Sequence, residues 1–179
     1  MIGKQSVEEI YDYIKIAKIL GADIIRIWSR TKGSKDFTEE DTKVFFETCK
    51  KLAKIAEEEG IILDVESHIN YYTDSLETSL KLIKEVNSPN FGMHWQPLGY
   101  MTEEENEIYA KTMASYSPVV HVGYYRNEVG RLSLHEGIDV WKRYLTDFND
   151  DIYLMLEFMP DGKIESLKNE ADALRLIIG

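Results

Sequence analysis

Cysteine is almost missing from this chain. Cys49 is the single one among 179 residues, so an internal disulfide is impossible and the fold has to hold by packing, as suits a reducing cytoplasm. Long apolar runs are missing too: none approaches the roughly 20 residues of a membrane helix, and the opening Met-Ile-Gly-Lys-Gln-Ser has no signal-peptide core. The expectation is a soluble cytoplasmic protein without a membrane partner. Basic residues are scarce, 21 against 32 acidic ones, and they form no cluster; at a net charge of −11 the surface repels phosphate backbones, which argues against nucleic acid as a partner. Proline-rich or low-complexity tracts are also lacking, so nothing marks a linker, and residues 1–179 read as one domain. The apolar share of 44% is enough to build its core.

What is present is an alternation of two periodicities. Ser6 is placed to cap a helix whose apolar residues, Val7 to Leu20, recur at three-and-four spacing until Gly21. Asp23 to Trp28 is short and β-branched, a strand; Thr38 caps a helix running to Glu59 and stopped by Gly60. The pattern repeats with a strand from Ile61, a helix from Thr73 or Asp74 to Val86, a strand over Asn90–Gln96 and a helix from Thr102 to about Ser115. Pro118–Tyr124 is a valine-rich strand, Ser133 or His135 opens a helix through Leu145, Ile152–Phe158 is the last strand and Ile164–Ile178 the last helix. Five strands alternating with six helices predict an α/β fold of βα units on a parallel sheet. A helix comes first and five units do not close an eight-stranded barrel, so the sheet is either open and doubly wound or the later part of a barrel.

Chemistry gathers at the strand exits. Ile61 to His68 reads Ile-Ile-Leu-Asp-Val-Glu-Ser-His, apolar at its start, with Asp64, Glu66 and His68 at alternate positions towards its end. The later strands offer His94 and Gln96 with Trp95 between them, then His121, then Glu157. Glu66, Gln96, His121 and Glu157 follow one another at intervals of roughly 30 residues, about one βα repeat each. Two carboxylates, an imidazole and a carboxamide at one height make a site for Mn²⁺, with Zn²⁺ and Co²⁺ as alternatives and Mg²⁺ less suited to the imidazole. The alternative is a set of strands that end in solvated loops.

The segments Leu-Asp-Val-Glu-Ser-His, Phe-Gly-Met-His-Trp-Gln-Pro, Val-Val-His-Val and Leu-Met-Leu-Glu-Phe, with Leu-Ser-Leu-His-Glu-Gly-Ile-Asp before the last of them, together resemble the xylose isomerase-like TIM-barrel superfamily, nearest its sugar phosphate isomerases and epimerases. The resemblance covers nearly the whole chain. It implies a partial (β/α) TIM barrel whose five strands are the later five of eight, lacking about three N-terminal units, and hence association with further copies or with a separate N-terminal partner. It also implies one divalent ion on Glu66, Gln96, His121 and Glu157, although Gln96 stands where the family has Asp and is the weaker ligand. Glu66 and Glu157 become the acid and base of an enediolate mechanism on a small carbohydrate, with Arg26, His68, His94 and Trp95 as substrate contacts. Two alternatives accompany it: a non-catalytic remnant or subunit of a split barrel, which Gln96 favours, and an abasic-site endonuclease, which the acidic charge disfavours.

Overall fold

The computed structural model describes residues 7–29, 32–126 and 129–179; the Ser6 cap lies outside them. Five parallel strands and six α-helices give the chain the architecture of a partial (β/α) barrel, with a small antiparallel hairpin added. The chain divides into two compact units, residues 1–94 and 95–179.

In the first unit α1 (Ile10–Leu20) buries Ile10, Ile14 and Ala17 and stops at Gly21, whose φ of 69° is left-handed and costs least without a Cβ. Strand β1 (Ile24–Ile27) follows. α2 (Glu39–Glu59) starts in a reciprocal capping box between Thr38 and Asp41 and buries Phe45, Phe46, Cys49 and Leu52. β2 (Ile62–Glu66) and β3 (Phe91–Trp95) run parallel to β1, with Arg26 opposite Asp64 and Glu66 opposite His94. Between them, α3 (Leu76–Val86) begins two or three residues later than the sequence predicts, with Ser75 as its cap. Thr73 and Asp74 are committed elsewhere: Thr73 Oγ1 donates to the Glu66 carbonyl at 2.6 Å, and the Asp74 carboxylate accepts from the Ser34 amide at 3.0 Å. Both bonds fasten loops at the β2 exit.

The second unit holds α4 (Glu103–Met113), β4 (Val119–Val122), β5 (Tyr124–Arg126), β6 (Gly130–Leu132), α5 (Ile138–Tyr144), β7 (Tyr153–Leu156) and α6 (Leu167–Ile178). β4 and β7 pair in parallel, Val119 with Tyr153 through Val122 with Leu156. The predicted strand to Tyr124 ends early because the chain leaves the sheet at Gly123 and turns into the β5–β6 hairpin, where Gly130 supplies a φ of 89°. Trp95 forms the core of this unit, in ring contact with Tyr109, Trp141, Tyr144 and Phe148, and Trp141 Nε1 donates to the Gly123 carbonyl at 3.0 Å. The buried Glu170 carboxylate of α6 accepts from Ser133 Oγ at 2.9 Å and the Leu134 amide at 2.7 Å, which ties the segment before α5 to the last helix.

Gly137 marks the tightest packing in this segment. A Cβ there would lie 2.7 Å from the Tyr124 ring, whose hydroxyl is held by Glu103 at 3.0 Å. Gly137→Ala is therefore expected to cost about 1–3 kcal/mol by overpacking, and Tyr124→Leu in the same chain to recover part of it. Urea midpoints of the two single variants and the double variant check this; additive losses would mean that the added methyl group does not press on the ring.

Candidate active site

Glu66 is the last residue of β2 and only 1% exposed. A carboxylate so deeply buried is costly without a counter-charge. Arg26 supplies it: β1 sets Arg26 beside Asp64, and its side chain reaches one step further along the sheet to place Nη1 2.9 Å from Glu66 Oε2. The same guanidinium lies 5.3 Å from the centre of the Trp28 ring, a cation-π contact that holds it at the strand exit. The resemblance implies a substrate contact for Arg26; this geometry favours its orienting the Glu66 carboxylate.

Trp28, His68 and Tyr71 form a half-exposed aromatic group around that exit, with ring centres 4.8 to 5.2 Å apart. His68 Nδ1 is 2.7 Å from the Ile69 carbonyl, which only accepts. In the neutral ring the proton therefore sits on Nδ1, and Nε2 is left as an acceptor. Tyr71 was not singled out from sequence, since a tyrosine in a loop carries no signal of its own.

His94 is not at the surface of this group. It is 3% exposed, and its Nδ1 lies 3.2 Å from Oδ2 of the wholly buried Asp64. Burial pushes Asp64 well above the usual carboxylate range; burial first, and then the Arg26 charge, lowers His94 to about 4. Both shifts favour the neutral pair, a carboxyl group beside an imidazole, over an ion pair of the same proton count. The expectation that His94 meets substrate is thereby corrected to a buried polar pair beneath Glu66. Trp95, 0% exposed in its aromatic cluster, is likewise a packing residue and not a pocket wall.

In the second unit the sheet brings His121 and Glu157 together. His121, in β4, is buried, and its Nδ1 is 3.5 Å from Glu157 Oε1; the Glu157 amide donates to the Val122 carbonyl at 3.1 Å, extending the pairing one residue past β7. Gln96 is half-buried just after β3. The stretch that follows it is clamped by Asn106 of α4, whose Oδ1 accepts from the Leu98 amide at 2.8 Å and whose Nδ2 donates to the Leu98 carbonyl at 3.1 Å. Glu136 and Asp139 occupy first turns, where the helix dipole favours acids.

Carboxylates, imidazoles and an amide at the exits of parallel barrel strands define a protein whose chemistry, where it has any, sits on the carboxyl rim. Residues 2–177 match the family described as xylose isomerase-like TIM barrel, and the chain belongs to it. A curated 3-dehydroshikimate dehydratase of Bacillus anthracis is 24% identical over 87 residues, which are 49% of this chain and 31% of that protein. Among solved structures, the probable 3-DHS dehydratase involved in petrobactin synthesis from Bacillus anthracis is 19% identical, with a TM-score of 0.76 over 95% of this chain and 69% of its own. A family protein from Mycobacterium smegmatis in complex with magnesium is 14% identical, with a TM-score of 0.71 over 96% and 66%. An L-ribulose 3-epimerase is 16% identical, with a TM-score of 0.62 over 96% and 63%. At such identities the structures speak for the fold alone, and the fold serves epimerases, dehydratases and AP endonucleases alike. Among the described residues, no helix is long and apolar enough to cross a membrane.

Proposed function

We propose that this chain belongs to a divalent-metal-dependent enzyme that moves a proton next to a carbonyl on a small hydroxylated substrate, a sugar or sugar phosphate isomerase or epimerase. The observation that carries this reading is the donor set: Glu66, His121 and Glu157 are side chains able to hold a metal ion, and each stands within a residue of its strand's carboxyl end. With Gln96 they would hold one ion, manganese matching the mixed oxygen and imidazole donors best and zinc, cobalt or magnesium following. Such an ion, when bound, polarises a carbonyl and acidifies the neighbouring C–H.

The chain's own residues handle the proton. Glu66 and Glu157 take it from one carbon and return it to the same or the adjacent one. Arg26 fixes the direction in which Glu66 points, and His68 Nε2 accepts from a substrate hydroxyl. A second reading, elimination of water after the same proton abstraction, is favoured by the relative named 3-dehydroshikimate dehydratase.

Metal content and proton exchange test this together. Protein purified without chelators is expected to carry near-stoichiometric metal by plasma emission and to wash deuterium from solvent into a ketose beside its carbonyl. Gln96→Asp, which restores a charged donor, is expected to tighten metal binding about 10-fold or more. Metal-free protein that gains neither metal nor exchange on this substitution would leave the chain a non-catalytic portion of a barrel.

A further inference from the structure

We propose that Arg131 is a recognition site for an anionic group, a phosphate or carboxylate, at the far end of the substrate. The inference rests on the reading of the rim as a carbonyl proton-transfer centre and supplies what that reading lacks, the charge class of the substrate. Arg131 stands in β6 of the hairpin that follows the His121 strand, and β5 pairs Tyr125 directly opposite it. Opposite residues of an antiparallel pair share a face, so Arg131 and Tyr125 project together. The Arg131 guanidinium carbon lies 3.8 Å from the centre of the Phe158 ring, and Phe158 directly follows Glu157.

Three features set this arginine apart. Arg26, Arg143 and Arg175 are engaged by Glu66, by Glu103 with Glu107 and by Asp172; no ion pair among the described residues involves Arg131 or Arg126, and of these two it is Arg131 that lies over an aromatic ring. Stacking on Phe158 fixes the plane of its guanidinium while leaving the N–H edge open, the arrangement that meets an oxyanion with two parallel hydrogen bonds. Phe158 is 47% exposed and Tyr125 50%, so the cluster is open to a ligand. In a chain of net charge −11, an unpaired arginine held in place is where an anionic substrate finds compensation.

The reach fits a small molecule. From the Glu157 Cα, one Cα step, one phenylalanine side chain and the stacking distance place the guanidinium within about 11 Å. A five- or six-carbon chain with its carbonyl at Glu157 and a charged end at Arg131 spans less than that bound.

Isothermal titration with three probes tests the proposal without requiring turnover: D-fructose, D-fructose 6-phosphate and D-gluconate. At least one anionic probe is expected to bind about 10- to 100-fold tighter than fructose, and Arg131→Gln to remove that margin while Arg131→Lys keeps part of it. A margin confined to the sugar phosphate identifies a phosphate, one confined to gluconate a carboxylate. Circular dichroism checks that each variant is folded, and Phe158→Leu, which removes the stacking partner and keeps the charge, should lose a smaller share. Equal binding of all three probes, or an anionic margin that survives Arg131→Gln, overturns the proposal. Deuterium exchange into fructose by the same protein would then show that the proton-transfer reading stands without it.

Discussion

Glu66→Gln is expected to lower proton exchange by about a thousandfold and to strip the bound metal, while leaving the folded state nearly as stable as before. The two halves of that expectation have separate causes. Glu66 is assigned two tasks, ligand and proton carrier, and a carboxamide performs the first poorly and the second not at all. Stability follows a different account: the carboxylate is 1% exposed, so the charge removed is one whose desolvation the fold had to offset, and replacing a buried charge by a neutral group of the same shape is often neutral. Arg26 keeps an oxygen acceptor and, with a side chain 44% exposed, can rehydrate what it loses. Arg26→Met is the instructive contrast, because it takes the Arg26 counter-charge from the buried carboxylate instead of removing the carboxylate, and is expected to destabilise by about 3 kcal/mol. The checks are deuterium incorporation by NMR, metal content by plasma emission, and urea unfolding. Exchange near the wild-type rate in Glu66→Gln would end its candidacy as acid or base. A loss of stability as large as that of Arg26→Met would make the carboxylate a structural fixture.

Much of this architecture was legible before any coordinates because each βα unit repeats the same local physics. The strands from Ile24, Ile62 and Phe91 are short apolar runs, and Gly21, Gly60 and Asn87 end their helices where the left-handed region was needed. Thr38 and Thr102 were legible as helix starts, and in the structure both form complete capping boxes with the acidic residues three positions on. The misreadings share one cause, competition between partners distant in sequence. Thr73 and Asp74 looked like caps but are spent on Glu66 and Ser34, and the β5–β6 pairing is invisible to a search for alternation because each strand has only three residues. At the site, alternation located Glu66, His121 and Glu157 at their strand exits, since position along a strand is local information. The partner a side chain chooses is not: nothing near His94 announces that Asp64, thirty residues back, will hold it below the surface.

The Asp64–His94 pair makes its own prediction, and the sign follows from counting protons. In the folded chain the pair holds one proton from about pH 4, where His94 gives up its second, to the raised value of Asp64. In the unfolded chain, with ordinary values near 3.9 and 6.5, the two groups also hold one proton between about pH 4 and 6.5, and none above. Stability is therefore indifferent to the pair across that window, then falls by about 1.4 kcal/mol per pH unit above 6.5, where the folded state alone keeps its proton. Asp64→Asn leaves only the depressed His94, whose contribution is complete above 6.5 and is lost as pH falls towards 4, about 3 kcal/mol in all. Other titrating groups are common to both proteins, so the informative quantity is the wild-type stability minus that of Asp64→Asn in metal-free protein. It is expected to decline from pH 4.5 to 6.5 at about 1.4 kcal/mol per unit, and to go on declining above that for as long as Asp64 keeps its proton. Urea unfolding at four pH values measures it. A difference that stays constant from pH 4.5 to 6.5 would mean that burial does not depress His94, and the neutral pair would lose its basis.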